Sequence, residues 1–186
     1  MKKFIKIAVI ISKIAELLHW TTAGIFLFFS GAEIFAGSEF VKSTAFGKYF
    51  VYRENSDIFS GLEIYGLQIR CQTAFNSYNS TAMLIYSLGT VIILCLVAFA
   101  FRNIHAILKS DNPFQETAVT MLKKIGICFI GVSAVCLMTS ITASNYMSCF
   151  HADFNFTSAV SGIFMLCLAE YFKYAHKLQE DSYGLI

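Results

Sequence analysis

The chain has 186 residues, of which 56% are hydrophobic and only 14% are charged. Soluble domains have about 45–50% apolar and about 25% charged residues, so this composition predicts an integral membrane protein. A net charge of +2 without a basic run argues against direct binding of nucleic acid. The 6 cysteines stand singly, without C-x-x-C or Cys/His spacing, which argues against a zinc site or a redox pair.

The first predicted membrane span covers residues 7–35, which is more than the roughly 20 residues that a spanning helix needs. Lys13 and Glu16 interrupt its early turns. Three lysines within the first six residues resemble the start of a signal peptide, but the apolar segment is too long and has no convincing cleavage site. We therefore expect an uncleaved anchor.

Residues 37–80 form a predicted outer loop that is too long for a plain connection. The alternating stretches "KYFVYR" and "LEIYGLQIRC" predict short strands, with Tyr65-Gly66 as a turn. We expect a small hairpin or three-stranded sheet on the outer ends of the helices.

Three further spans are predicted, at residues 82–104, 120–147 and 154–175, with an inner loop at 105–118. The last begins with "FNFTSAVSG", which is rich in small and hydroxyl residues. Ser158 and Gly162 lie on one face there, so this helix is expected to pack closely against a neighbour.

The distribution of basic residues predicts the orientation, because cytoplasmic loops carry an excess of Lys and Arg. With the N-terminus inside, ten basic residues are inner and four are outer (Lys42, Lys48, Arg53 and Arg70). The predicted fold is therefore an all-α integral membrane protein, residues 1–186 forming a single domain. It is a four-transmembrane-helix bundle with both termini cytoplasmic and a small β-rich extracytoplasmic loop between helices 1 and 2.

The stretch "SDNPFQETAVTMLKKIG" predicts how the third helix begins. Asn112 fits an N-cap and Pro113 the first helical position, with Gln115 near the positive end of the helix dipole. The pair Lys123 and Lys124 is expected where the helix meets the lipid headgroups. Phe114 would lie on an amphipathic surface segment. The segment is interpreted either as a capped helix start that anchors the bundle or as a docking surface for a cytoplasmic partner.

Ionisable residues near the inner ends of the spans predict one layer of mixed charge. It would comprise residues of the first, second and fourth helices, namely Lys13, Glu16, His19, Arg102, His105, Glu170, Lys173 and His176. One interpretation is local ion pairing and lysines that extend to water. The other is a polar site for a proton, ion, lipid headgroup or peptide, with Glu16 and Glu170 facing inward.

Cofactors and catalytic groups are not expected. A haem would need a second histidine facing His19, and His105 looks closer to the surface, so no cofactor or metal is predicted. Cys71 and Cys149 both fall outside the membrane, where they could form a disulfide or remain two thiols. Glu33 is interpreted as an acid at the outer interface or at a ligand entrance. No nucleophile–base arrangement or phosphate-binding loop appears, so the protein is not expected to be an enzyme.

Two stretches carry a resemblance to a known family: "NPF" with the following "LKKIG", and "LAEYFKYAHKLQED" at the end of the last span. They resemble the small bacterial four-span membrane proteins grouped as domain of unknown function 2975, over the whole chain in order. The family pattern of an acid, an aromatic and a basic residue falls here on Glu170, Phe172 and Lys173. The Phe- and Tyr-rich first span and outer loop depart from the pattern.

The resemblance implies a multi-pass protein of the bacterial cytoplasmic (inner) membrane. It also implies, by association alone, a cytoplasmic helix-turn-helix transcriptional regulator as partner, besides the lipid bilayer. The leading expectation is a non-enzymatic regulatory or sensory protein. The alternative is a small transporter, or an immunity protein against a membrane-active peptide. A lipid-modifying enzyme ranks third, and the oligomeric state is left open.

Overall fold

The computed structural model describes residues 2–37, 63–69, 79–110, 116–146 and 150–183. Within these ranges the chain forms four α-helices and one hairpin, so the predicted all-α class is confirmed. In chain order they are α1 (Lys2–Ala36), β1 (Glu63–Ile64), β2 (Leu67–Gln68), α2 (Ser80–Lys109), α3 (Glu116–Ser144) and α4 (Phe156–Tyr183).

Two of these helices are long and apolar enough to cross a membrane by length and composition, α2 with 30 residues and α3 with 29. Only 50% and 44% of their most apolar windows are buried inside the protein. The remaining apolar surface of both helices faces outward, where it requires lipid or another protein as its neighbour.

The inner connection is shorter than the predicted loop at residues 105–118. Helix α2 continues to Lys109 and α3 is already helical at Glu116. Hydropathy locates only the apolar core of a span, whereas the helical backbone hydrogen bonds continue past it. The basic residue in the last turn of α2 and the acid in the first turn of α3 stabilise these helix ends through the helix dipole. The predicted cap at Asn112 and Pro113, with Phe114 and Gln115, lies outside the described residues.

The hairpin consists of two two-residue antiparallel strands in which Glu63 pairs with Gln68 and Ile64 with Leu67. The predicted turn at Tyr65-Gly66 is confirmed. Both turn residues have positive φ, 51° for Tyr65 and 80° for Gly66, as two-residue hairpin loops of type I′ require. Glycine adopts this conformation readily, but it is unusual for a bulky residue such as tyrosine. The predicted strand "KYFVYR" lies outside the described residues.

The chain divides into two compact units. Unit 1 comprises Met1–Trp20, Cys95–Val132 and Phe156–Ile186. Its apolar core consists of two clusters from α2, α3 and α4, built on Ala100, Ile125 and Cys128 and on Val119, Leu122 and Ala169.

A close approach of α3 and α4 in unit 1 depends on two glycines. A Cβ placed on Gly162 would lie 2.7 Å from the carbonyl oxygen of Gly126, and a Cβ on Gly126 would lie 2.9 Å from the carbonyl oxygen of Gly162. The two backbones therefore touch without intervening side chains, which only glycine at both positions permits. Ser158 is also buried, on the face of α4 that was expected to pack closely.

Unit 2 comprises Thr21–Leu94 and Ser133–Asn155. Its fully buried side chains include Leu67 of the hairpin together with Tyr86 and Ile93 of α2. Helices α2 and α3 approach closely at Gly89, where an added Cβ would lie within 3.0 Å of Thr139. Hydroxyl residues are also buried in this unit, so its interior is more polar than the hydropathy of α2 and α3 suggests.

Candidate functional site

A histidine contact joins α1 to α2 in unit 1. The buried Ser12 hydroxyl donates to the carbonyl oxygen of Val9 at 2.9 Å. The His105 nitrogen Nδ1 lies 3.1 Å from the same carbonyl oxygen and 3.3 Å from Ser12 Oγ. A His105 tautomer with hydrogen on Nδ1 satisfies both contacts by donating, because the serine hydrogen is already directed at Val9. His105 therefore ties the two helices together.

His19 lies on the same face of α1 as Ser12, about two turns further along the helix. Its Nδ1 is 2.6 Å from the carbonyl oxygen of Ala15 in its own helix. Its ring lies against Phe101 of α2, with 5.4 Å between the ring centroids and 34° between the ring planes. The imidazole is thus oriented by one hydrogen bond and one aromatic contact.

Glu16 is the buried charge of unit 1. It is 7% exposed, and its Oε2 lies 2.8 Å from Nζ of Lys13, one turn earlier on α1. The Lys13 side chain is 60% exposed, so the lysine extends to the surface while its end neutralises the buried carboxylate. The expected i,i+3 pairing on α1 is confirmed, as is the inward position of Glu16.

The expectation that Glu170 also faces inward is wrong. Its side chain is 60% exposed and pairs with Lys123 of α3, with 2.6 Å between Oε1 and Nζ. Ala169 is fully buried against α3. The next residue, Glu170, therefore lies at the border of the packed face of α4. A carboxylate there reaches a basic residue of the neighbouring helix, so Lys123 serves as an interhelical partner rather than only as a headgroup marker.

The remaining predicted residues are exposed, half-buried or outside the described part of the chain. Arg102, Lys124 and Lys173 are exposed, and His176 is half-buried. Cys71 and Cys149 lie outside the described residues, so their pairing stays a prediction. Of the predicted inner residues, Lys13 and Glu16 pair with each other, whereas His105 contacts Ser12 and Glu170 pairs with Lys123, two partners that were not predicted.

A buried polar contact between α1 and α2 in unit 2 was not predicted. Ser30 Oγ lies 2.6 Å from Ser87 Oγ, and Ser80 Oγ donates to Oε1 of Glu33 at 2.5 Å. Glu33 is 5% exposed, so it is a buried acid rather than an interfacial one. Asn79 caps α2, since its side chain accepts from the backbone N–H of residue 82 at 3.0 Å. The carboxylate therefore lies at the positive end of the α2 dipole, which stabilises its charge.

The turn of the hairpin is fixed by side chains from α3 and from the segment before α4. The carbonyl oxygen of Tyr65 accepts a hydrogen bond from Asn155 Nδ2 at 2.6 Å and another from Cys136 Sγ at 3.3 Å. The backbone N–H of Gln68 donates to Oδ2 of Asp153 at 3.1 Å. Burial raises the pKa of the Tyr65 hydroxyl above its ordinary value. We call Cys136, Asp153 and Asn155 the hairpin dock.

The segment 150–155, which carries two members of the dock, is itself bound to serine hydroxyls of α3. Ser133 Oγ donates to the carbonyl oxygen of Asn155 at 2.6 Å, and Ser140 Oγ accepts from the N–H of Asp153 at 2.8 Å. Ser144 Oγ contacts both the N–H and the carbonyl of residue 151 at 2.9 Å. These serines satisfy backbone groups that have no helical partner.

These contacts lie well below the C-terminal end of α3. Ser133 and Cys136 precede the last helical residue, Ser144, by eleven and eight positions. At 1.5 Å rise per residue they lie about 16 Å and about 12 Å from that end. The hairpin turn therefore contacts α3 at Cys136, about 12 Å from the C-terminal end of the helix, which is deeper than the outer ends of the helices where the sequence had suggested it.

The serine spacing on α3 was the signal that could have identified this region. Ser133, Ser140 and Ser144 recur at intervals of seven and four, which places them on one helical face. Nothing in the local sequence says that the partner of this face is an extended segment. As for metals, the described ranges contain no group of three His, Cys, Asp or Glu side chains that could hold an ion.

A family model described as "Protein of unknown function (DUF2975)" matches residues 45–183, about three quarters of the chain. The match includes the hairpin, α2, α3 and all of α4. It begins after α1, so it is narrower than the whole-chain resemblance expected from the sequence. Comparison with curated proteins and with solved structures gave no match.

Proposed function

The chain belongs to the DUF2975 family of unknown function, and we propose that within it the protein is a non-enzymatic sensory or regulatory protein of the bacterial cytoplasmic membrane. It would act with a cytoplasmic helix-turn-helix transcriptional regulator. The observation that carries this proposal is the hairpin dock, in which a hairpin between α1 and α2 is held by Cys136 of α3 and by Asp153 and Asn155, which lead into α4.

The membrane location is supported by where the apolar side chains lie. All four helices expose large apolar residues, for example Phe28 at 65% and Phe35 at 90% on α1, and Phe156 at 70% and Phe164 at 62% on α4. Serines, threonines and two glutamates are buried beside the apolar core. Large apolar side chains exposed on every helix, with polar groups turned inward, are unusual for a soluble domain and suit helices surrounded by lipid. We therefore propose that α1 and α4 span the membrane along with α2 and α3.

The charges on the proposed spans are consistent with this placement. Lys13 neutralises the buried Glu16, and Lys123 neutralises Glu170. An ionised side chain within a span is costly unless it is paired or reaches water. With the termini cytoplasmic, both pairs belong to the inner half of the helices, and the hairpin enters from the extracytoplasmic side.

The regulator would bind the cytoplasmic end of α4, which presents charged and aromatic side chains. Lys173, Lys177, Tyr171 and Tyr174 are exposed there. A test uses the protein reconstituted in lipid nanodiscs and a purified helix-turn-helix regulator from the same organism. We expect saturable binding, weakened at least tenfold by the pair Lys173→Glu and Lys177→Glu.

The matched control for this binding test is Lys48→Glu, a charge reversal in the proposed outer loop, which should leave binding unchanged. Deletion of the gene should also change transcription from promoters of the regulator. No binding by the intact protein, together with unchanged transcription, would contradict the regulatory proposal.

A transporter or peptide-immunity role is the second candidate, and one observation favours it. Non-helical backbone at residues 150–155 runs along the C-terminal half of a proposed span, α3, where it contacts Ser133, Ser140 and Ser144. Irregular backbone at membrane depth is tolerated where it is enclosed by protein or lines a cavity, as in transporters. Uptake or efflux by proteoliposomes, with no response of the regulator, would favour this role.

A further inference from the structure

We propose that the hairpin dock is a latch that couples the position of the extracytoplasmic hairpin to the start of α4. When the hairpin is docked, Asp153 and Asn155 hold it and the beginning of α4 is fixed. When the hairpin is withdrawn, the same two residues lose their contacts with the hairpin and the first turn of α4 loosens. This inference rests on the proposed function as a membrane sensor and identifies the segment that would change position during sensing.

The first step of the argument is that two residues are bound on both sides. Asp153 is tied to α3 by its backbone N–H, through Ser140, and to the hairpin by its carboxylate, through the N–H of Gln68. Asn155 is tied to α3 by its carbonyl, through Ser133, and to the hairpin by its amide, through Tyr65. Each residue therefore transmits a displacement of the hairpin to the backbone segment that leads into α4.

The second step is the location of Asn155, which immediately precedes the first helical residue, Phe156. Asparagine at this position is favoured because its side chain can serve the unpaired N–H groups of the first turn. Its amide group donates to Tyr65 while the hairpin is docked. A change in that side chain is thus felt directly at the start of the helix.

The third step is that the docked turn is held in an unfavourable conformation. Tyr65 has φ of 51°, where a non-glycine side chain is strained, and its carbonyl oxygen receives both the Asn155 and the Cys136 hydrogen bonds. Leu67 next to the turn is 0% exposed. Burial and these hydrogen bonds hold the turn in the docked state, and their loss would let the strained backbone of Tyr65 relax into a second conformation.

The experiment measures docking by cysteine labelling in nanodiscs. In a background with Cys136→Ser, which keeps a donor for Tyr65, and the other cysteines replaced by alanine, Leu67→Cys reports the buried face of the hairpin. Glu63→Cys on exposed strand β1 is the accessible reference. We expect a membrane-impermeant maleimide to label position 67 at least tenfold more slowly than position 63.

Two variants release the latch, Asp153→Ala and Asn155→Ser. Serine keeps a favoured residue before α4 but is too short to reach Tyr65, so it separates the latch from the helix start itself. We expect each to speed labelling at position 67 at least tenfold and to speed amide hydrogen exchange in residues 157–160 by a similar factor. The matched control is Asn103→Ala, because this buried asparagine donates to the carbonyl oxygen of Phe99 in its own helix and has no contact with the hairpin within the described ranges. It should change neither rate.

Labelling at position 67 as fast as at position 63, in the reporter background without either latch variant, would overturn the latch, because the hairpin would not be docked. Release of the hairpin without faster exchange at residues 157–160 would overturn the coupling. Neither measurement contains the regulator, so both can succeed while regulator binding fails, and the reverse also holds.

Discussion

The glycine contact between α3 and α4 makes a prediction whose size follows from the structure. In Gly162→Ala, the new Cβ would lie 2.7 Å from the Gly126 carbonyl oxygen and 2.9 Å from the backbone nitrogen of Ile130. Both neighbours are backbone atoms, so rotation of a side chain cannot relieve the clash and the helices must separate. Overpacking of this kind costs about 1–3 kcal/mol, and the backbone contacts place Gly162→Ala at about 2–3 kcal/mol.

The matched control is Gly24→Ala on α1, where an added Cβ meets nothing within 4 Å. Replacing an unhindered helical glycine by alanine stabilises by about 0.5–1 kcal/mol. The same chemical change should therefore have opposite signs at the two positions. For a chain of this size, about 2–4 °C of melting temperature corresponds to 1 kcal/mol. We expect a fall of roughly 4–12 °C for Gly162→Ala and a rise of about 1–4 °C for Gly24→Ala.

The assay is thermal unfolding in detergent, followed by reaction of the buried thiol of Cys128 with a fluorogenic maleimide, in a background whose other cysteines, including the exposed Cys167, are replaced by alanine. Cys128 lies in the unit 1 core beside the α3–α4 contact, so its exposure reports the separation of these two helices. Each variant is compared with wild-type protein that elutes as one species. A melting temperature of Gly162→Ala equal to that of wild type, or raised as in Gly24→Ala, would refute the packing argument.

Three other predictions follow from separate features. Gly66→Ala should weaken hairpin docking, because alanine is strained at φ of 80° and its Cβ would lie 3.2 Å from Cβ of Asn155. Labelling of Leu67→Cys should then be faster. Gly37→Ala, which has a similar φ of 79° and open space around it, should leave that labelling unchanged. Lys123→Glu should lower the melting temperature by less than Gly162→Ala does, because the pair with Glu170 is exposed. Adding Glu170→Lys should restore the melting temperature. If the double variant does not recover, the pair is incidental. Alkaline phosphatase fused at Glu180 should be inactive and a fluorescent protein fused there should fluoresce, and the opposite pattern would contradict the cytoplasmic termini.

The helices could be predicted from the sequence because they depend on local information. Apolar runs identified α2 and α3, and the small pair Ser158 and Gly162 indicated the packed face of α4. The Tyr65-Gly66 turn was identifiable because alternating residues flank a glycine that tolerates positive φ. In each case the signal lies within a few residues of the feature that it predicts.

The positions of the charges could not be predicted in the same way. Lys13 and Glu16 are neighbours on one helix, so their pairing followed from spacing alone. Glu170 had Lys173 at the same spacing, yet its closest basic partner is Lys123 on another helix. That choice depends on how α3 and α4 approach each other at Gly126 and Gly162, which no local pattern contains.

The hairpin dock was missed because its information is divided among three distant segments. The serines of α3 bind a backbone segment, and that segment in turn binds the hairpin, so neither half is recognisable alone. This arrangement bears on both proposed functions. A sensor requires the hairpin to move together with the start of α4, whereas a transporter requires the hairpin to leave and water to reach Ser133 and Ser140. Exchange that is faster at residues 157–160 alone therefore indicates the first function, and faster exchange at residues 133–140 as well indicates the second.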